Sequence, residues 1–105
     1  MFLQKKLLFA IIVSCMGPSI SLAQQTCCIV HDTTGTNLNV RDDYGNLTGD
    51  TFSNGQCVIP EKRDHDSRGN LWVRVRSYGI TPRPRGWVFG LYLVCEIPCD
   101  SGACR

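Results

Sequence analysis

No stretch of this 105-residue chain approaches the roughly 20 consecutive apolar residues that a membrane-spanning helix requires. The longest apolar run, Leu7 to Met16, is about half that length, which argues against a permanent anchor. Helical periodicity of useful length is also missing beyond residue 23. Histidine is scarce: His31 and His65 are the only two, which leaves little for imidazole-based catalysis or metal binding. Net charge is small as well. Of 11 basic residues against 9 acidic, Lys5 and Lys6 fall in the leader described below, so the remainder is formally neutral and gives no electrostatic argument for nucleic acid.

The first 23 residues read as an export signal. Lys5 and Lys6 form a charged start, the apolar run follows, Gly17 and Pro18 break it, and Ser21-Leu22-Ala23 places small residues before a cleavage site. A second reading makes Ile12-Val13-Ser14-Cys15 a loose lipobox, with Cys15 lipidated. Export to the periplasm or the exterior is the main expectation, with a lipid-anchored form as the alternative. The remaining length allows one domain with a small core.

Six cysteines remain after the leader: Cys27, Cys28, Cys57, Cys95, Cys99 and Cys104. An even number in a short exported chain reads as a disulfide framework, with several connectivities open. Cysteine with histidine would suggest a thiol hydrolase, but a disulfide sulfur is no nucleophile, and no stretch is large enough for a catalytic domain. A zinc site would show closely spaced ligand pairs twice over, and that repeat is missing. The expectation is therefore no catalytic residue, no metal and no cofactor.

Short β-forming runs separated by turn residues make up the rest: Cys28 to His31, Leu38 to Arg41, Thr48 to Phe52, Cys57 to Glu61, Leu71 to Tyr78, Gly86 to Phe89 and Leu91 to Val94. Asn54-Gly55 between two such runs is a hairpin signal. In the run from Leu71, the residues Leu71, Val73 and Val75 share one face, while Trp72, Arg74 and Arg76 share the other. Five or six short strands of this kind imply a small, strongly bent all-β barrel.

In order and spacing, Leu38-Asn39-Val40-Arg41, the Gly55-x-x-Val58 segment, Trp72-x-x-Val75 and Gly86-Trp87-Val88-x-x-x-Tyr92-Leu93 resemble the bacterial SH3 (SH3b) domain. The resemblance covers residues 28–95. It leaves 24–27 as a short N-terminal segment and 96–105 as a Cys-containing tail. It is tightest at Asp32-Thr33-Thr34-Gly35-Thr36-Asn37-Leu38-Asn39-Val40-Arg41, which is similar to the opening of small exported proteobacterial SH3-type proteins that carry one Cys before it and one after the final Tyr-Leu. The resemblance implies an SH3-like barrel whose ends meet, with a Cys28–Cys95 disulfide. Cys99 with Cys104, and Cys27 with Cys57, are the expected remaining pairs.

Charge is unevenly distributed. Residues 27–66 carry seven acids (Asp32, Asp42, Asp43, Asp50, Glu61, Asp64 and Asp66) against Arg41, Lys62 and Arg63, whereas 67–95 hold five arginines and no acid. Either this is a dipole that orients the molecule on a charged polymer, or the halves interleave and neutralise. Asp64-His65-Asp66-Ser67-Arg68-Gly69 imitates a calcium loop, but Arg68 would repel the ion and Val75 stands where a bidentate Glu is needed, so it reads as a solvated turn. The prolines of Ile80-Thr81-Pro82-Arg83-Pro84-Arg85 make an extended connector that presents Arg83 and Arg85.

Trp72, exposed beside Arg74 and Arg76, with Trp87 and Tyr44, forms the kind of surface that stacks on sugar rings or grips a peptide. The resemblance implies a non-catalytic binding module of the cell envelope. Its expected ligand is peptidoglycan, through stem peptides or cross-bridges, and its expected form is a monomer. The alternative is a secreted or periplasmic protein–protein module that binds another envelope protein or a host protein.

Overall fold

A computed structural model describes residues 25–79, 81 and 83–104; the expected leader at 1–23, with Cys15, lies outside them. Among the described residues seven strands follow one another: β1 (Thr26–Val30), β2 (Leu38–Arg41), β3 (Leu47–Phe52), β4 (Cys57–His65), β5 (Leu71–Ser77), β6 (Arg85–Phe89) and β7 (Leu93–Pro98), with a turn of 3-10 helix at Gly90–Tyr92. All pairings are antiparallel. They form a single sheet in the order β3-β2-β6-β5-β4-β1-β7. Five or six strands were expected; seven form, one from each of the β-forming runs, and the last, Leu93–Pro98, continues past the expected domain end and pairs with β1. The segment assigned to 24–27 is likewise partly strand, since β1 begins at Thr26. Among the described residues no helix is long and apolar enough to cross a membrane.

The sheet is curled but not closed, with β3 and β7 as its edges. Its inner face carries apolar residues that alternate along the strands. Val30, Leu38, Val40, Phe52, Val58, Val73, Val75 and Val88, with Cys28, form one buried cluster. Residues from six successive strands meet in that cluster, which requires the inner face to wrap around itself. β-Branched valines suit such a pleated, buried surface. Gly86 sets the β2–β6 crossing, because a Cβ there would lie 2.6 Å from the Arg41 carbonyl oxygen and 2.7 Å from Val40 Cγ1.

Asn54-Gly55 does not close a hairpin. β3 and β4 are not neighbours in the sheet; the turn instead carries the chain from one edge to the centre. Only Gly55 of the two takes a positive φ. The Asn54 side chain is engaged by the loop after β1, where its Oδ1 accepts from the Asp32 N–H and its Nδ2 donates to the Thr36 carbonyl at 3.3 Å. Asp32 in turn accepts from the Thr34 hydroxyl and N–H and the Thr36 hydroxyl, which hold its carboxyl below the ordinary value, the Thr34 hydroxyl most of all. The Asp-x-Thr-Gly-Thr segment is thus a self-capped turn locked to a distant one.

The outer face of β1 and β4 is also buried at one end. Cys27, Cys57 and Ile59 lie under the tail residues Cys99 and Cys104, with Ile29, Tyr78 and Ile97 alongside. The disulfides are Cys27–Cys99, Cys28–Cys95 and Cys57–Cys104. The expected Cys99–Cys104 and Cys27–Cys57 pairs are therefore corrected. Successive residues of β1 point to opposite faces, so Cys28 meets Cys95 on the inner side while Cys27 faces outward, where the tail crosses. The tail reaches back over β4, placing Cys104 on Cys57 rather than on its near neighbour Cys99.

Candidate functional site

Two turns of the same chemistry stand at one end of the outer face. Asp42-x-x-Gly45-Asn46 joins β2 to β3, and Asp66-x-x-Gly69-Asn70 joins β4 to β5. In each, the Asp N–H donates to the Asn carbonyl, at 2.9 and 3.0 Å, and the Gly N–H donates to the Asp carbonyl, at 3.1 and 3.0 Å. In each, the Asp Oδ1 accepts from the Asn N–H at 2.9 Å, and from the Tyr44 or Arg68 N–H at 2.9 Å. Gly45 and Gly69 both take φ of 84°, a left-handed value that a side chain disfavours. This repeated Asp-x-x-Gly-Asn pattern is the sequence signal that marks the site, and it passes unnoticed when each turn is read alone.

Between the turns lies an open cleft of about 400 Å³, walled by Trp72 of β5 and Trp87 of β6. Each indole is fixed by an acid of one turn. The Trp72 Nε1–H donates to Asp66 Oδ2 at 3.0 Å, and the Trp87 Nε1–H donates to Asp43 Oδ1 at 2.8 Å. Arg41 donates to the Gly45 carbonyl at 2.8 Å and places its guanidinium 5.9 Å from the Trp72 ring centre, within cation–π range. Asp42, Asp43, Asp64, Asp66 and His65 complete the lining with Arg41 and Gly45. The Trp72 indole N–H, with the turn amides, holds the Asp66 carboxyl down at about 2. Asp42 is lowered too, chiefly by the Asn46 N–H.

Past Trp72 the surface continues into a second, smaller hollow of about 160 Å³, which Arg41, Trp72, Phe89 and Tyr92 share with the Asp32–Asn39 loop. Phe89 lies 5.4 Å from Trp72 and 5.5 Å from Tyr92, ring centre to ring centre. Four aromatic side chains therefore border a continuous track: Trp87, Trp72, Phe89 and Tyr92.

The basic residues take a different place from the one expected. β4 skips register between Pro60 and Lys62, which leaves Glu61 as the extra residue of a bulge. Bulges redirect side chains, and Glu61 joins the arginine face. Arg85 donates to both of its oxygens, at 3.0 and 2.8 Å, and Arg74 and Arg76 stand 3.3 and 3.2 Å away. Arg74 also reaches Asp43 at 3.5 Å. The Arg85 hydrogen bond and the three positive charges keep the Glu61 carboxyl below its usual range. The acidic and basic halves of the sequence thus meet across β4, β5 and β6.

Of the residues singled out by sequence, the cleft brings together Trp72 and Trp87. Arg74, Arg76 and Arg85 form the neighbouring cluster around Glu61. Tyr44 stands at the tip of the first turn, 89% exposed, and Arg83 is exposed on the connector before β6. The rim is accordingly acidic where a basic one was expected. Asp42, Asp43 and Arg41 are the lining residues that sequence reasoning missed, and Asp64, His65 and Asp66 were read only as part of a solvated turn.

Compared with protein-family models, with curated proteins and with solved structures, the chain matches none.

Proposed function

We propose that this protein is an exported, non-catalytic binding module with an SH3-like arrangement of strands, and that its ligand is a component of the cell wall. One observation carries the reading: the aromatic track from Trp87 through Trp72 to Phe89 and Tyr92 is open, elongated and lined on one side by acids. Such a track suits an extended chain that alternates apolar or ring surfaces with polar groups, and peptidoglycan with its stem peptides is of that kind. Aromatic walls supply contact area at low entropic cost, and their indoles are immobilised by Asp43 and Asp66. Three disulfides support export to an oxidising compartment.

Co-sedimentation of the oxidised protein with purified peptidoglycan sacculi tests the proposal. Wild-type protein is expected in the pellet at moderate salt, and Trp72→Ala and Trp87→Ala proteins, checked for intact folding, in the supernatant. Absence of wild-type retention would sink the wall reading. The competing reading, a protein partner, draws on Tyr44 and Leu47, which expose large apolar surface at the β2–β3 turn and the start of β3. It would then lead.

A further inference from the structure

We propose that the cleft between the two turns selects a primary ammonium group borne on a peptide. As a statement about wall ligands this rests on the reading above, where the amine would be the free one of an uncrosslinked stem peptide. The selectivity itself rests on the cleft.

Charge complementarity makes the argument. Four carboxylates line the cleft and a single guanidinium, Arg41, faces them. Arg41 is already committed to the Gly45 carbonyl and to the Trp72 ring, and Arg74 offsets only Asp43. The excess is therefore negative. Asp66 carries its charge down to about pH 2. A carboxylate placed inside the cleft would be repelled, whereas a cation placed there gains from the acids and from an indole face. Each indole donates its N–H to a carboxylate, so a ligand meets the rings through their π faces, of which that of Trp72 already has Arg41 against it. The cation is organic. Among the described residues no three carboxylate, imidazole or thiol side chains converge as a metal ion needs, and the cleft is far larger than a dehydrated ion. A volume of about 400 Å³ admits an alkyl-ammonium arm lying between the rings, with its three N–H donors directed at the rim.

Two probes test this: a short N-acetylated peptide amide with one free lysine amine, and the same peptide with that amine acetylated. Binding is followed through the indole N–H resonances of Trp72 and Trp87. The free-amine peptide is expected to shift both, and the acetylated one neither. Asp43→Asn/Asp64→Asn protein, in which the side-chain amide introduced at position 43 still offers Trp87 an acceptor, is expected to bind about fivefold more weakly, with the rest of its spectrum unchanged. In parallel, sacculi are compared before and after acetylation of their amines, and only the untreated ones are expected to retain the protein. Equal retention on both, with no indole shift, would overturn the amine proposal and leave the wall reading standing. Indole shifts without retention on any sacculi would uphold amine recognition and remove the wall. No shift and no retention would overturn both.

Discussion

Glu61 occupies the extra position of the β4 bulge, and three guanidinium groups share its two carboxylate oxygens. Exposed pairs of this kind contribute little singly, and Arg85 is about half exposed, so Glu61→Gln is expected to cost about 1 kcal/mol near neutral pH. The dependence on pH has a definite direction. The folded-state pKa is depressed below the ordinary value of 4.5, so the stabilisation is complete above about 4.5 and fades as the pH falls through the lower folded value. Urea midpoints of wild type and Glu61→Gln should differ at pH 7 and converge in acid; a constant gap would refute the ion network. Asp66 offers a second test, because the Trp72 indole is the largest cause of its low pKa. In a Trp72→Phe protein its carboxyl, followed by NMR, should titrate higher, moving from about 2 toward 3.8.

At the scale of the element, glycine acts in two distinct ways. Gly86 permits contact: a Cβ would strike backbone and a buried valine, so Gly86→Ala must push β2 from β6 and is expected to cost about 1–3 kcal/mol. Gly45 permits a turn: nothing lies within 4 Å of an added Cβ, so Gly45→Ala incurs only the left-handed backbone penalty, about 1 kcal/mol. Thermal melts of the two variants should rank in that order. What the sequence discloses at this scale follows the same division. The face alternation of β5 was legible because it is a local property of seven residues, and Val73 and Val75 are buried as it requires. The partner of a strand is not local. Asn54-Gly55 looks like a hairpin turn, but β3 pairs only with β2 and β4 with β1 and β5. The bulge at Glu61 was equally hidden, since nothing in Pro60-Glu61-Lys62 announces a register shift until β5 lies beside it. The acidic rim was missed for that reason: Asp43 and Asp66 lie in different turns, and only the sheet order brings them to one cleft.

The whole molecule is held by covalent ties between its two ends and its middle. The three disulfides span sequence separations of 72, 67 and 47 residues; loops of such length contribute about 4 kcal/mol each in the chain-entropy model, and less in sum because the loops overlap. The Cys28–Cys95 pair was legible through the resemblance. The other two were not, because local closure of Cys99 with Cys104 is the simpler expectation when the tail's path is unknown. A Cys99→Ser/Cys104→Ser protein frees the tail, leaving Cys27 and Cys57 as thiols. It should retain the inner core and Cys28–Cys95 yet expose Ile29, Ile59 and Ile97, lowering the denaturant midpoint and binding a hydrophobic dye. Unchanged stability would mean that the tail contributes nothing to the fold.

Cys27 and Cys28 are adjacent, fully buried, and bonded on opposite sides of the same strand. Sliding β1 by one residue would turn each sulfur away from its partner, so the two bonds can coexist in a single alignment only. The vicinal pair therefore writes the phase of the first strand into the covalent structure: an alignment displaced by one residue cannot carry both native bonds.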